Sequence, residues 1–518
     1  MDKSPNPIIG KDVIESLTLG MYEDSRFIYR EYIQNSADQI DKAVKQGLLK
    51  KSDEGIFITI DTSNRRIEIE DNATGIKHID VAPIMQNIAQ STKEKGVDKG
   101  FRGIGRLGGL GYCKKLIFET SFKGEVIKSI MTWDAELLKE IINNRHNKEN
   151  AVEVIQKITS LITVPENQEK HYFKVILEEV TNDSLLDSKS VDEYLKMVAP
   201  LPYPTGFVFK SKIKEYISTL GNLSHDEYKI YLNNDQLFKA YTSSIYKENN
   251  GSPLKVDEIF DLQLFKEIDS VGNLLYWGWY GISTFNGAID DINLAKGIRL
   301  RKDNIQIGSK HTLLKLHKDK NRGNNYFFGE ICAVHPDLIP NSRRDYFSEN
   351  KTCHLFEKKL SQYFHCTLHR IYYEASKLRS LNKDVQALAD FEKTVYTKVS
   401  NGFTNHEDKK KLFDEFENKK KKAEEAKKKL DSIKQKSPEP ETPFAKIFER
   451  VVNTHDIKPS EIEIKQEEQK TTFVTDKYSW LPKSERKLLS KVFNVIESVL
   501  SKDMAKNLID KIDEDLKK

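Results

Sequence analysis

Residues 26–45, RFIYREYIQNSADQIDKAVK, constrain this chain more than any other stretch. Glu31, Asn35 and Asp38 recur at i, i+4 and i+7, so a helix places them on one face. Phe27, Ile28, Tyr32, Ile33, Ala37 and Ile40 supply an apolar surface that buries such a helix against a sheet. Acidic and amide groups then border the buried side, which costs free energy unless they have partners. A carboxylate and a carboxamide one turn apart can hold a hard cation and orient a water. The plainer alternative is the polar rim of an ordinary helix. The segments downstream favour the first reading.

The size, 518 residues, implies about three domains. Lys+Arg 83 against Asp+Glu 79 gives a net charge of +4, too balanced to argue for nucleic acid by itself. No apolar run approaches the length of a membrane span, and MDKSPNPIIGKD lacks the apolar core of a signal peptide. Four cysteines, Cys113, Cys332, Cys353 and Cys366, do not make a disulfide framework in a chain this long, which points to the cytoplasm. Cys353-His354 and His365-Cys366 with His369 are weak zinc candidates without a CxxC pairing. Buried thiols and surface histidines are the simpler reading.

Along the chain, residues 1–190 read as mixed α/β. IFITIDTSNRRIEIEDN alternates apolar and polar residues around Ser-Asn and predicts a hairpin. VAPIMQNIAQS is helical and leads into glycine-dense residues 96–111. KLIFETSF and VIKSIMTW are strands, residues 135–162 read as an inserted helical piece, and HYFKVILEEV is expected to close the sheet. Residues 191–350 form a second α/β domain, with NLLYWGWYGI, GIRLRKDNIQIG and YFFGEICAV as strands. Residues 351–436 are long helices. Leu412, Phe416, Ala423, Ala426, Leu430 and Ile433 follow a/d spacing for a coiled coil, with Lys419 in one slot. The lysine runs 409–411, 419–422 and 427–429 read as a solvated face, with nucleic-acid contact as the alternative. SPEPETP begins a polar linker, 437–475. Residues 476–518 are helical, and Leu488, Leu489, Val492, Ile496 and Val499 form a stripe suited to self-association.

Three motifs succeed one another in the first domain. Glu31-xxx-Asn35-xx-Asp38 comes first, then Asp71-Asn-Ala-Thr-Gly75 at a strand end, then Gly100-Phe-Arg-Gly103-Ile-Gly105. A carboxylate at a strand end with a nearby glycine can accept a hydrogen bond from an exocyclic amine while the backbone approaches a base. A glycine-rich run offers N–H groups to phosphates and has the freedom a lid requires. Each motif alone is weak; their order and spacing together point to a nucleotide site.

On these residues, 9 to about 180 resemble the Bergerat-fold ATPases of the GHKL superfamily. YREYIQNSADQIDK is similar to the corresponding segment of the ninety-kilodalton heat-shock chaperones. The resemblance implies an α/β sandwich ATPase domain, a second α/β transducer domain and a helical C-terminal region. It also implies ATP as ligand, Mg2+ as cofactor, Glu31 as catalytic base, Asn35 as magnesium ligand and Asp71 on the adenine amine. Asp38, Gly75, Ser91, Lys93, Gly100, Arg102, Gly103 and Gly105 complete the nucleotide-binding set. LIPNSRRDYFSEN resembles the chaperone segment whose arginine reaches the γ-phosphate, which puts Arg344 in that role. Arg299, Arg301 and Lys302 are the competing candidates. Ala73 stands where the family has glycine, and Phe173 or a neighbour replaces a family threonine near the adenine.

The resemblance implies an ATP-gated clamp, a homodimer joined through its C-terminal helices. A protein client is the chaperone-like answer. DNA is the answer suggested by mismatch-repair and MORC-type clamps, which also occur in bacterial defence. A sensor histidine kinase fits poorly, because the ATPase domain comes first and no phospho-acceptor helix pair precedes it. A binding module without turnover is the remaining alternative.

Overall fold

In the computed structural model the described residues are 9–18, 24–88, 103, 105–144, 148–221, 223, 225–320, 322–401, 406–435, 442–453, 478 and 480–517. They fall in two compact units, Met1–Arg370 and Ile371–Lys518.

In the first unit a short helix, α1 (Asp12–Thr18), precedes α2 (Phe27–Lys45). The alternating stretch after α2 folds as the hairpin of β1 (Ile56–Asp61) and β2 (Arg66–Asp71), paired from Ile56↔Asp71 to Asp61↔Arg66. Ile56, Ile58, Ile67 and Ile69 turn inward, as period-two alternation requires. Further along are α3 (His78–Gln86), β3 (Lys115–Ser121), β4 (Ile127–Asp134), α4 (Ala135–Asn143), α5 (Ala151–Ile158), β5 (Thr159–Pro165) and β6 (Tyr172–Glu178). Next come α6 (Ser188–Val198), α7 (Lys210–Ser218), β7 (Ile230–Leu232) and β8 (Asp235–Gln236). The sheet order is β5-β4-β3-β6-β2-β1-β7-β8. Helix α2 lies on it, with Ile28, Ile33, Ala37 and Ile40 in one core with Ile58, Ile67, Leu116 and Trp133.

Three details differ from the sequence reading. The helical piece ends at Ile158, and residues 159–165, four of them β-branched, pair with β4 as an edge strand. Strand β6 does not close the sheet; it lies at its centre between β3 and β2, with Phe173 opposite Asp71. Strand β7, which the sequence groups with the second domain, pairs in parallel with β1, and Phe57 stacks on Tyr231 at 5.2 Å. Parallel pairing of segments so far apart in the chain leaves no local periodic trace.

The second sheet follows a hairpin of β9 (Ser244–Asn249) and β10 (Ser252–Glu258). It contains β11 (Asp261–Ile268), β12 (Leu274–Ile282), β13 (Gly297–Lys302), β14 (Ile305–Gln306) and β15 (Phe328–Ala333), in the order β11-β12-β15-β13-β14. Its aromatic core joins Trp277, Trp279, Tyr203, Phe207 and Tyr241. A buried ionic network runs through it. Glu330 accepts from Lys239 Nζ at 3.0 Å, from Tyr203 Oη at 2.5 Å and from Arg301 Nε, while Arg301 Nη2 donates to Met197 O at 2.7 Å. Burial pushes the Glu330 carboxyl up, but Arg301 and Lys239 beside it hold it far below the usual range.

Asn350 caps α8 (Lys351–Tyr363), its Oδ1 accepting from Cys353 N at 2.8 Å. A π-helical turn, Phe364–Leu368, then leads to α9 (His369–Asn401).

The second unit takes in nearly all of α9, then α10 (His406–Gln435), α11 (Pro443–Asn453), α12 (Lys483–Val499) and α13 (Lys502–Leu516). The seam positions Leu412 and Phe416 cluster with Val395 of α9, with Leu388, Phe391 and Phe413 packed around them. Lys419, in the seam slot, lays its ammonium 5.0 Å from the Phe391 ring centroid and 3.6 Å from Glu415. Part of the polar linker is helical: α11 starts on Pro443, and Ile447 and Val451 are buried one turn apart. No helix of the described residues is long and apolar enough to cross a membrane.

Candidate nucleotide site

Glu31 lies in the second turn of α2 and is 7% exposed. Arg344 Nε stands 3.0 Å from its Oε1 and Arg30 Nη2 3.7 Å from the same oxygen. Arg344 reaches it from the loop before α8 with φ +55, a conformation most side chains avoid. Two backbone bonds hold it there: its N–H donates to Asn341 O at 3.1 Å, and its carbonyl accepts from Gly308 N at 2.8 Å. The competing cations have other partners. Arg301 is tied to Glu330, Lys302 Nζ donates to Val334 O and His335 O, and Arg299 Nη2 donates to Leu294 O at 2.8 Å.

A 3-10 turn, Gly105–Gly111, packs on the same helix. A Cβ at Gly105 would sit 2.3 Å from Glu31 Oε2, so any side chain there would displace the carboxylate. Tyr32 clasps the turn: its hydroxyl donates to Arg106 O and accepts from Gly109 N, both at 3.1 Å. Gly103 has φ +69. Ser91, Lys93, Gly100 and Arg102 lie outside the described residues.

At the other end of the site, Asp71 closes β2 and is 1% exposed. Burial pushes its carboxyl up to about 7, against the opposing pull of hydrogen bonds from the Ser36 hydroxyl and the Ala73 amide. Ala73 N donates to Asp71 Oδ1 at 3.1 Å, and Ala73 O contacts His171 Nδ1 at 2.6 Å. Thr74 Oγ1 donates to Gln39 Oε1 at 3.0 Å. Gly75 has φ +65, and a Cβ there would lie 1.9 Å from Ser121 O. The turn after Asp71 is thereby locked between α2, β3 and β6.

Asn35 is half-buried, one turn beyond Glu31. Its amide oxygen is a hard donor of the kind Mg2+ takes alongside waters and phosphate oxygens, and the glycine cradle against Glu31 leaves the neighbouring carboxylate undisturbed. Asp38 is half-buried on α2, two turns beyond Glu31, and its charge is felt at Tyr228. Burial and nearby carboxylates including Asp38 raise that hydroxyl, which donates to Asp41 at 2.7 Å. Glu31, Asn35 and Asp38 share the stripe that their spacing predicts on the uninterrupted helix, with Asp38 at its far end.

The sequence reading overlooked Tyr32, Ser36 and Gln34. Tyr32 was assigned to the apolar face, although a buried tyrosine hydroxyl needs a polar partner. Ser36 of α2 hydrogen-bonds Asp71 at the end of β2, a relation no local spacing announces. Gln34 is 1% exposed, and neither end of its amide has a partner among the described residues.

Comparison with known proteins bears on residues 25–163, which match a family model described as histidine kinase-, DNA gyrase B-, and HSP90-like ATPase. The chain is 30% identical over 169 residues to the chaperone protein HtpG of Buchnera aphidicola subsp. Baizongia pistaciae (strain Bp). That match covers 29% of this chain and 27% of the relative, so it spans about a quarter of the relative's length.

Proposed function

Since residues 25–163 carry a GHKL-type ATPase domain, we propose that the chain binds ATP and hydrolyses it to ADP and phosphate as a nucleotide-driven clamp. The observation that carries the reading is the ion pair at 3.0 Å between Glu31 on α2 and Arg344 from the segment beyond the second sheet. A loop outside the matched domain thus reaches its candidate base.

Asp71 accepts from the adenine amine, while the glycine turn lies over the Glu31 end. Glu31 orients a water and takes its proton as the new P–O bond forms and the bond to the ADP oxygen breaks. Arg344 leaves Glu31 for the charge developing on the transferred phosphoryl group. Asn35 would hold a magnesium ion, whose contribution is to neutralise phosphate charge. Domain movement follows because Arg344 has two anionic partners, and nucleotide adds the second.

The protein works as a homodimer in this reading. Leu488, Val492 and Val499 of α12 are 64%, 43% and 75% exposed and supply an apolar contact. A nucleic-acid client is favoured by one observation: Lys420–Lys422 and Lys427–Lys429 of α10 all face solvent. The free thiols Cys113, Cys332, Cys353 and Cys366 suit a reducing cytoplasm. The test of turnover is Glu31→Ala. Nucleotide binding is expected to persist while hydrolysis falls by about a hundredfold or more. Unchanged turnover refutes the base assignment.

A further inference from the structure

An open cavity of about 510 Å³ lies beside the N-terminal end of α2, between that helix, α6, β13–β14 and the Arg344 loop. Its wall holds three buried side chains with unused polar atoms. Arg30 and Arg299 are each 6% exposed, and the Nε of each has no hydrogen-bond partner among the described residues. Gln306 is 3% exposed and its Oε1 is likewise unpartnered, while its Nε2 is spent on Gly308 O at 2.9 Å. Three of the four acidic groups lining the space are already engaged: Asp24 by Arg26 at 2.8 Å, Asp291 by Lys310 at 2.5 Å, and Asp345 by Asn341 at 2.5 Å; the fourth, Glu193, lies on α6 and adds to the field on Arg26.

Buried guanidinium donors without partners are costly, and an oxyanion is the ligand that relieves them. The Gln306 carbonyl narrows the class, because it needs a donor. A phosphate that keeps one P–OH near neutral pH supplies oxygens to the arginines and a hydroxyl to Gln306. Sulfate has no proton to give.

We infer that this cavity is an anion site distinct from the nucleotide pocket, built for a protonated phosphate group held by Arg30, Arg299 and Gln306. The group is either free inorganic phosphate or the phosphate end of a small phosphomonoester. The position gives the site a consequence, which rests on the ATPase reading as the binding itself does not. Arg344 lines the cavity and also pairs with Glu31, and Arg30 adjoins Glu31. An anion here competes with Glu31 for the same guanidinium groups.

The experiment is calorimetric titration of the full chain at constant ionic strength with inorganic phosphate, sulfate and ribose 5-phosphate. Saturable phosphate binding is expected, with sulfate at least tenfold weaker. Arg30→Gln and Arg299→Gln, on different elements, should each weaken phosphate tenfold or more. Gln306→Leu should erase the preference over sulfate, and a saturating non-hydrolysable ATP analogue should leave phosphate binding intact. Tighter binding of ribose 5-phosphate identifies a phosphomonoester as the ligand, and equal or weaker binding identifies free phosphate; both uphold the site. Absence of saturable phosphate binding overturns it. So does binding that survives both arginine substitutions, or binding abolished by a saturating non-hydrolysable ATP analogue, which would place the anion in the nucleotide pocket.

Discussion

Replacing Asp71 by Asn should stabilise the free protein and disable nucleotide binding, two effects of opposite sign from one change. The carboxyl is almost wholly buried and is raised from its ordinary 3.8 to about 7. A carboxyl whose folded value is raised contributes stability in its protonated form, fully present below about pH 4 and lost as pH climbs toward 7. Above pH 7 the penalty for holding the charged form is on the order of 4 kcal/mol. Asn resembles the protonated acid and avoids that penalty, although its single oxygen cannot serve both the Ser36 hydroxyl and the Ala73 amide. A net gain of about 1–3 kcal/mol at pH 8, shrinking to zero near pH 4, is the expected result by urea denaturation. ATP affinity should fall at least a hundredfold, about 2.7 kcal/mol, because a carboxamide whose oxygen stays with the Ala73 amide meets the adenine amine with its own NH2 donor. Wild-type affinity should decline as pH drops below 7, where the carboxyl takes up its proton. A variant less stable than wild type at pH 8 would refute the burial argument. Normal ATP affinity by calorimetry would refute the adenine assignment.

Three further outcomes follow from the geometry. Arg344→Ala should lower kcat by about ten- to a thousandfold with ATP affinity nearly unchanged, whereas an equal rise in KM would mark a binding role instead. Gly75→Ala should cost about 3 kcal/mol or more in chemical denaturation, since φ +65 is disfavoured and the new methyl meets Ser121 O; a loss below about 1 kcal/mol would show that the turn relaxes. Glu330→Ala, which leaves Lys239 and Arg301 buried without their carboxylate, should cost about 3–5 kcal/mol, measured as a lower urea midpoint.

Much of the fold can be read along the chain because its signals are local. Residues 26–45 have helical periodicity, and residues 56–71 alternate around a polar turn. The aromatic runs that become β12 and β15 mark themselves by composition. Errors fall where a segment's neighbours lie far away. Residues 159–162 read as the end of a helix because the strand that pairs them, β4, is no neighbour in the local pattern, and β7 reads with the second domain because its partner β1 precedes it by well over a hundred residues. The helix α11 was missed inside a polar linker, although Phe444, Ile447 and Val451 do carry helical spacing.

The candidate site divides the same way. The sequence alone determined the residue types and their order: a carboxylate and an amide one turn apart, an aspartate at a strand end, and glycines where a chain must pass close. These are properties of backbone period and side-chain chemistry, which every segment carries with it. Only the tertiary structure chose Arg344 over Arg299, Arg301 and Lys302, because which cation reaches Glu31 depends on which are already committed elsewhere. Glu330 claims Arg301, backbone carbonyls hold Lys302, and Arg299 turns to the cavity. The protonation balance of Asp71 is likewise a tertiary property, since desolvation comes from what covers a group and not from its neighbours in sequence.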